Sequence, residues 1–147
     1  MSWVAYNAFY NPTGLSGYVG GLPAGEYHGY VDELFPYIPL SGSGITQYRK
    51  IYFKNTYPFT LTDCRVYLTE VEHSGQIAVA SGSGFSIGQA DQLPTDAGPF
   101  SSPTGYPDGV PVGDVSGDGY ASVWVRLSLT GGEDPLAYAR IVIAGTS

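Results

Sequence analysis

The chain has 147 residues, a length that makes one domain with room for a full hydrophobic core. Its 13 acids against 6 bases leave a net charge of −7, which argues against a nucleic-acid binder, because such a protein needs a basic face to displace counterions from phosphates. Its single cysteine, Cys64, excludes an internal disulfide and any multi-thiolate metal centre, and its place in a strand pattern points to a buried, inert thiol.

The first ten residues, MSWVAYNAFY, show no basic leader ahead of an apolar run, so no secretory signal is expected. No apolar stretch approaches the ~20 residues that cross a bilayer. A soluble protein without dedicated export is the expectation. Residues 1–44 are dense in Gly, Tyr and Pro, which weaken helices, and are read as an extended arm with one or two short strands. One short helical turn is expected at YVDELF, stopped by Pro36.

From Ile45 the texture alternates. ITQYRKIYFK places Ile51 and Phe53 on one face and Lys50, Tyr52 and Lys54 on the other. NTYPFTLTD reads as a turn, and CRVYLTEV alternates again, with Val66 and Leu68 inward and Arg65, Tyr67 and Thr69 outward. QIAVAS adds a short strand with Ile77 and Val79 inward. Residues 81–119 read as one long loop with a short strand at GFSIG; its Phe100, Tyr106 and Val110 are expected to anchor it as an ordered excursion. YASVWVRLSL and AYARIVIAG, joined by TGGEDP, are the last strands, with Val123, Val125 and Leu127 facing opposite to Trp124 and Arg126. SGSG occurs at 41–44 and 81–84 with unlike flanks, so these are two loops and not a repeat. The sum is an all-β chain, an antiparallel β-sandwich of jelly-roll or immunoglobulin-like type over residues 45–147, carrying the arm and the long Gly/Pro-rich loop.

All six bases fall in expected strands: Arg49, Lys50, Lys54, Arg65, Arg126 and Arg140. The plain reading is cross-strand pairing on an outer sheet face and protection of strand edges. Catalytic or metal chemistry finds little support. His28 and His73 are the only histidines, and Glu70, Glu72 and His73 in TEVEHSG read as a solvated strand end, since zinc needs three or four converging ligands. DVSGDGY (Asp114, Ser116, Asp118, Gly119) begins like a calcium loop, but its twelfth position is Val125 and not Glu, so a turn explains it. GLSGYVGG lacks the strand–helix context and the Lys of a phosphate cradle, and no nucleophile elbow is present. No cofactor and no enzymatic activity are expected.

The aromatic excess fits either a sugar-stacking platform or a protein interface, where Tyr offers apolar area with a polar tip. Tyr6, Phe9, Tyr10, Tyr18, Tyr27, Tyr30, Phe35 and Tyr37 in the arm, with Phe100 and Tyr106 in the loop, are the expected contact residues. An uncharged aromatic arm suits docking on a large partner better than a catalytic pocket.

The stretch DELFPYIPLSGSGITQYRKIYFKNTYPFTLTDCRVYL resembles small structural proteins of tailed bacteriophages: Leu34-Phe35-Pro36, a Gly-containing spacer, Tyr48 through Asn55, then Thr60-Leu61 and a second strand. The late YASVWVRLSLTGGEDPLAYARIVIAG is similar to that group's second half. The resemblance covers about half the chain, and the Tyr-rich arm and the 81–119 loop depart from the pattern. It implies a virion protein, a capsid decoration (cement) protein that binds the major capsid protein on the particle surface, commonly as a homotrimer, with no nucleic acid or membrane partner. A tail, baseplate or head–tail connector component and a carbohydrate-binding host-adhesion module are the alternatives.

Overall fold

A computed structural model describes residues 3–12, 15–35, 44–70, 76–129 and 139–147. These form nine strands: β1 (Trp3–Tyr10), β2 (Tyr18–Tyr27), β3 (Ile45–Asn55), β4 (Leu61–Thr69), β5 (Ile77–Ser81), β6 (Ile87–Gln89), β7 (Val110–Val115), β8 (Tyr120–Leu129) and β9 (Arg140–Thr146). A six-stranded sheet runs β5-β8-β3-β1-β2-β6 and a three-stranded sheet runs β7-β4-β9, every pairing antiparallel. The all-β sandwich class expected from the alternation is the observed one. The turn expected at YVDELF is a single 3-10 turn, Val31–Glu33.

Between the sheets lies one core. Ile51, Phe53, Ile77, Val79, Val123, Val125 and Leu127 come to it from the larger sheet, and Leu61, Val66, Leu68, Val115 and Ile141 from the smaller. Each such side chain contributes about 1.5–3 kcal/mol when fully buried. Cys64 is free and buried within this core, as its strand position implied, and burial pushes its thiol up from the ordinary range.

Four features add to the sequence reading or depart from it. First, the stretch read as an arm contributes two full strands to the larger sheet. β1 lies between β3 and β2, with Trp3 opposite Asn55 and Tyr6 opposite Tyr52. Its partner β2 carries Pro23 and several glycines, yet it pairs by slipping register twice along β1. At Gly20 the backbone φ is +103°, and a Cβ there would lie 2.2 Å from the Ser86 carbonyl oxygen, so only glycine fits.

Second, β3 and β4 do not pair. They belong to different sheets, and the 56–60 connection crosses from one layer to the other. The β7–β8 connection crosses back to the larger sheet beside it, and VPVGDV within the expected loop is the strand it leaves. Asn55, fully buried, ties the two corners together. Its amide nitrogen donates to the carbonyls of Phe59 (2.9 Å), Val115 (3.0 Å) and Ser116 (3.3 Å), and its oxygen accepts from the Tyr57 N–H (2.9 Å).

Third, residues 82–101 fold back across the outer face of the larger sheet. The Tyr48 N–H donates to the Ala90 carbonyl, and Val79 and Ser101 exchange a pair of backbone hydrogen bonds along the β5 edge. A second small core of Val19, Ala80, Ala90 and Trp124 forms beneath this cover. The loop is therefore ordered, with Phe100 as one anchor. The short strand expected at GFSIG is Ile87–Gln89.

Fourth, Arg49 and Lys50 are fully buried and take no part in outer-face cross-strand ion pairing. The expectations for Tyr37, for Glu72 and His73, and for the TGGEDP joint lie outside the described residues.

Candidate interaction surface

The six bases share one environment: each cation sits over an aromatic ring. Arg49 lies 4.9 Å from the Phe35 centroid, Lys50 5.0 Å from Trp124, Lys54 5.8 Å from Tyr120, Arg65 5.5 Å from Tyr106, Arg126 5.0 Å from Phe100 and Arg140 5.6 Å from Tyr30. Each contact is worth about 0.5–2 kcal/mol, depending on how far water is excluded. The crowd of bases in ITQYRKIYFK thus serves the fold.

Lys50 is the most deeply committed. Its ammonium donates to Ser86 Oγ (2.6 Å), the Ser86 carbonyl (3.1 Å) and the Ser83 carbonyl (3.4 Å), with the Asp96 carboxylate 4.0 Å away. Burial pulls it down to about 8, and Asp96 partly opposes that. Burial tends to raise Asp96, but donors from Ser86 Oγ, the Ser83 N–H and Trp124 Nε1, together with Lys50, hold its carboxyl below the usual range. A carboxylate held ionised by three donors is no general acid, and an amine walled from solvent is no nucleophile. The cluster latches the 82–101 loop to β3 and β8. Arg49 is likewise engaged, with Nε on the Leu34 carbonyl (3.0 Å) and Nη1 on Gln47 Oε1 (3.2 Å) and the Tyr48 carbonyl (2.9 Å). Among the described residues no group of three or more His, Cys, Asp or Glu is placed to hold a metal ion, and no helix is long and apolar enough to cross a membrane.

The expected contact residues divide sharply. Tyr27 and Phe35 are core residues, 3% and 7% exposed, and are unavailable to a partner; Tyr27 donates to the Tyr30 carbonyl, and Phe35 lies beneath Arg49. Phe100 is half-buried between Tyr48 and Arg126. Tyr106 is half-buried against Arg65, its hydroxyl donating to the Asp63 carbonyl at 2.7 Å. Tyr30 is half-buried under Arg140, and Tyr6 is half-buried edge-on to Tyr120. These side chains build the fold. Phe9, Tyr10 and Tyr18 remain, and they are open to solvent.

Those three form one feature. Phe9 and Tyr10 meet edge to face at 4.8 Å, and Tyr10 lies 6.3 Å from Tyr18. Tyr10 pairs with Gly20, and Gly20 pairs in turn with Ile87 on β6. Leu22 and Ile87, 63% and 54% exposed, extend the apolar surface at this end of β1, β2 and β6. We call it the ridge. No charged residue occurs in the first 25 positions or in Gly84–Ala90, so the strand segments that carry the ridge bear none; Glu26 lies at the far end of β2. Sequence reasoning missed Leu22 and Ile87, because GGLPAG and SIG carry no alternation long enough to read.

Comparisons with protein-family models, with curated proteins and with solved structures returned no match.

Proposed function

We propose that the chain is a non-catalytic assembly protein whose exposed apolar ridge docks on a large protein scaffold, and that the scaffold is the outer surface of a phage capsid. On this reading it decorates and stabilises the shell, binds the major capsid protein and acts as a homotrimer. The observation that carries the docking role is the ridge itself. Five large apolar side chains stand exposed on strand segments that carry no charge, while the Lys50–Asp96 cluster nearby is closed. An exposed aromatic cluster on a monomer marks an interaction site. The capsid as scaffold rests on the resemblance of the two sequence blocks.

Point substitutions test this better than truncation, since β1 and β2 are structural strands of the larger sheet. The triple variant Phe9→Ser, Tyr18→Ser, Ile87→Ser is expected to keep its circular dichroism and melting temperature, because all three side chains face water. Its co-sedimentation with purified capsids is expected to fall at least tenfold, since central aromatic contacts contribute about 1–2 kcal/mol or more each. Undiminished capsid binding removes the ridge from the reading. Labelling on the tail or baseplate in electron micrographs, with none on the shell, replaces the capsid with those structures.

A further inference from the structure

Among the described residues the sandwich is covered along one side and uncovered along the other. Residues 98–102 cover the β5 edge. Opposite, β9 ends the smaller sheet, and beyond Ile141 its outer edge pairs with no strand among the described residues. The chain begins to supply that partner and then withdraws it. Ile141 donates to the Gly29 carbonyl and Val31 to the Ala139 carbonyl, one antiparallel rung with Tyr30 opposite Arg140. At Gly29, φ +92°, the backbone turns away, and the preceding residues join β1 instead. Because N–H directions alternate along a strand, Ile143 and Gly145 point their amides and carbonyls the same way as Ile141, into the seam.

The seam is roomy. A hollow of about 610 Å³ lies between β1, the end of β2 and β9, and a second of about 430 Å³ adjoins it; Trp3 and Ile143 line both. Ala5, Phe53 and Leu61 add apolar wall. At one mouth stand Glu26 and Glu33, with His28 3.4 Å from the Glu33 carboxylate, while Arg140 is held over Tyr30.

We propose that this seam is a strand-addition site: an extended segment of a different protein pairs with β9 through the outward amides of Ile143 and Gly145. That segment has apolar residues at alternate positions and a lysine or arginine at the end beside Glu26 and Glu33. An exposed row of strand donors and acceptors selects an extended backbone over a helix, whose own groups are already paired, and alternate side chains fill the hollow. A second copy of this chain is a poor donor. Each of its six cations is held on a ring of its own, so it offers no free basic end to Glu26 and Glu33. This site lies at the opposite end of β1 and β2 from the ridge and stands whether or not the ridge docks on a capsid.

The test is selection of displayed random dodecapeptides on the intact chain, followed by fluorescence anisotropy with the enriched peptides and backbone hydrogen exchange. The expected winners alternate apolar and polar residues and end in Lys or Arg. In the free chain the amides of Ile143 and Gly145 exchange quickly while those of Val142 and Ala144, which face β4, are slow; bound peptide slows the first pair. Ile143→Pro, which removes one outward donor that the β4 ladder does not use, weakens binding at least tenfold. Glu26→Lys with Glu33→Lys, both at exposed positions, weakens it about tenfold and reads charge selection if the proline variant fails to fold. The proposal is overturned by an absence of enriched peptides, or by peptides that bind both variants normally. It is also overturned by Ile143 and Gly145 amides already slow in the free chain, or by a self-dimer that Ile143→Pro dissolves.

Discussion

Lys50 is held out of water by the loop that crosses β3, and that burial pulls its ammonium down to about 8. In an unfolded chain the same amine keeps its proton to about pH 10.4. Between those values the unfolded state holds the proton and the folded state has released it, so stability rises with pH across that window, by roughly 3 kcal/mol at its full extent. Tyr52 works in the other direction. Burial first, and Asp96 second, push its phenol up, so the folded state resists ionisation and stability falls once unfolded tyrosines ionise above about pH 10. The two effects together place a maximum between them. Lys50→Met keeps the volume and removes the charge. Relative to this variant, the parent is expected to gain about 1–2 kcal/mol from about pH 8 to 9.5, read as the difference between the two denaturant curves, which cancels the shared Cys64 titration. Parallel curves for the two proteins contradict the buried, charged amine.

At the scale of elements, two of the crossings between sheets, β3–β4 and β7–β8, depend on one another. The 56–60 and 116–119 corners meet at Asn55, whose backbone also bonds Gly119 and Asp118. Asn55→Ala leaves buried carbonyls and an amide without partners and is expected to cost roughly 2–4 kcal/mol, seen as a lower urea midpoint at unchanged slope. A loss under 0.5 kcal/mol would show that water replaces the side chain readily. Asn55 also marks the limit of what the sequence discloses. Alternation reveals β3, β4, β5, β8 and β9, because each has a core-facing row of Val, Ile, Leu or Phe. Alternation says nothing of which sheet a strand joins, so β3 and β4 read as neighbours although a crossing separates them. β2 was hidden for a different reason: Pro23 and its glycines erase the local signal, and pairing with β1 supplies the order instead. Burial of Lys50 and of Tyr52 depends on a loop more than 30 residues away in the chain, beyond any local pattern. Of the surface, Phe9, Tyr10 and Tyr18 were legible as exposed aromatics in an uncharged stretch, whereas Tyr27 and Phe35 differ from them only in tertiary position.

For the molecule as a whole, the pairing of every cation with a ring leaves the acids to dominate the field outside. Most of the 13 lie in turns and loops while the bases are folded against aromatic faces. Encounter with a positively charged partner is therefore favoured at low ionic strength and slows as salt screens it. The same arrangement governs how the protein meets a protease. An enzyme such as trypsin must draw a lysine or arginine, with several flanking residues in extended form, into its own cleft. Here each such residue lies in a paired strand and is gripped from one side. The intact chain should outlast trypsin for hours under conditions that digest its urea-denatured form in minutes.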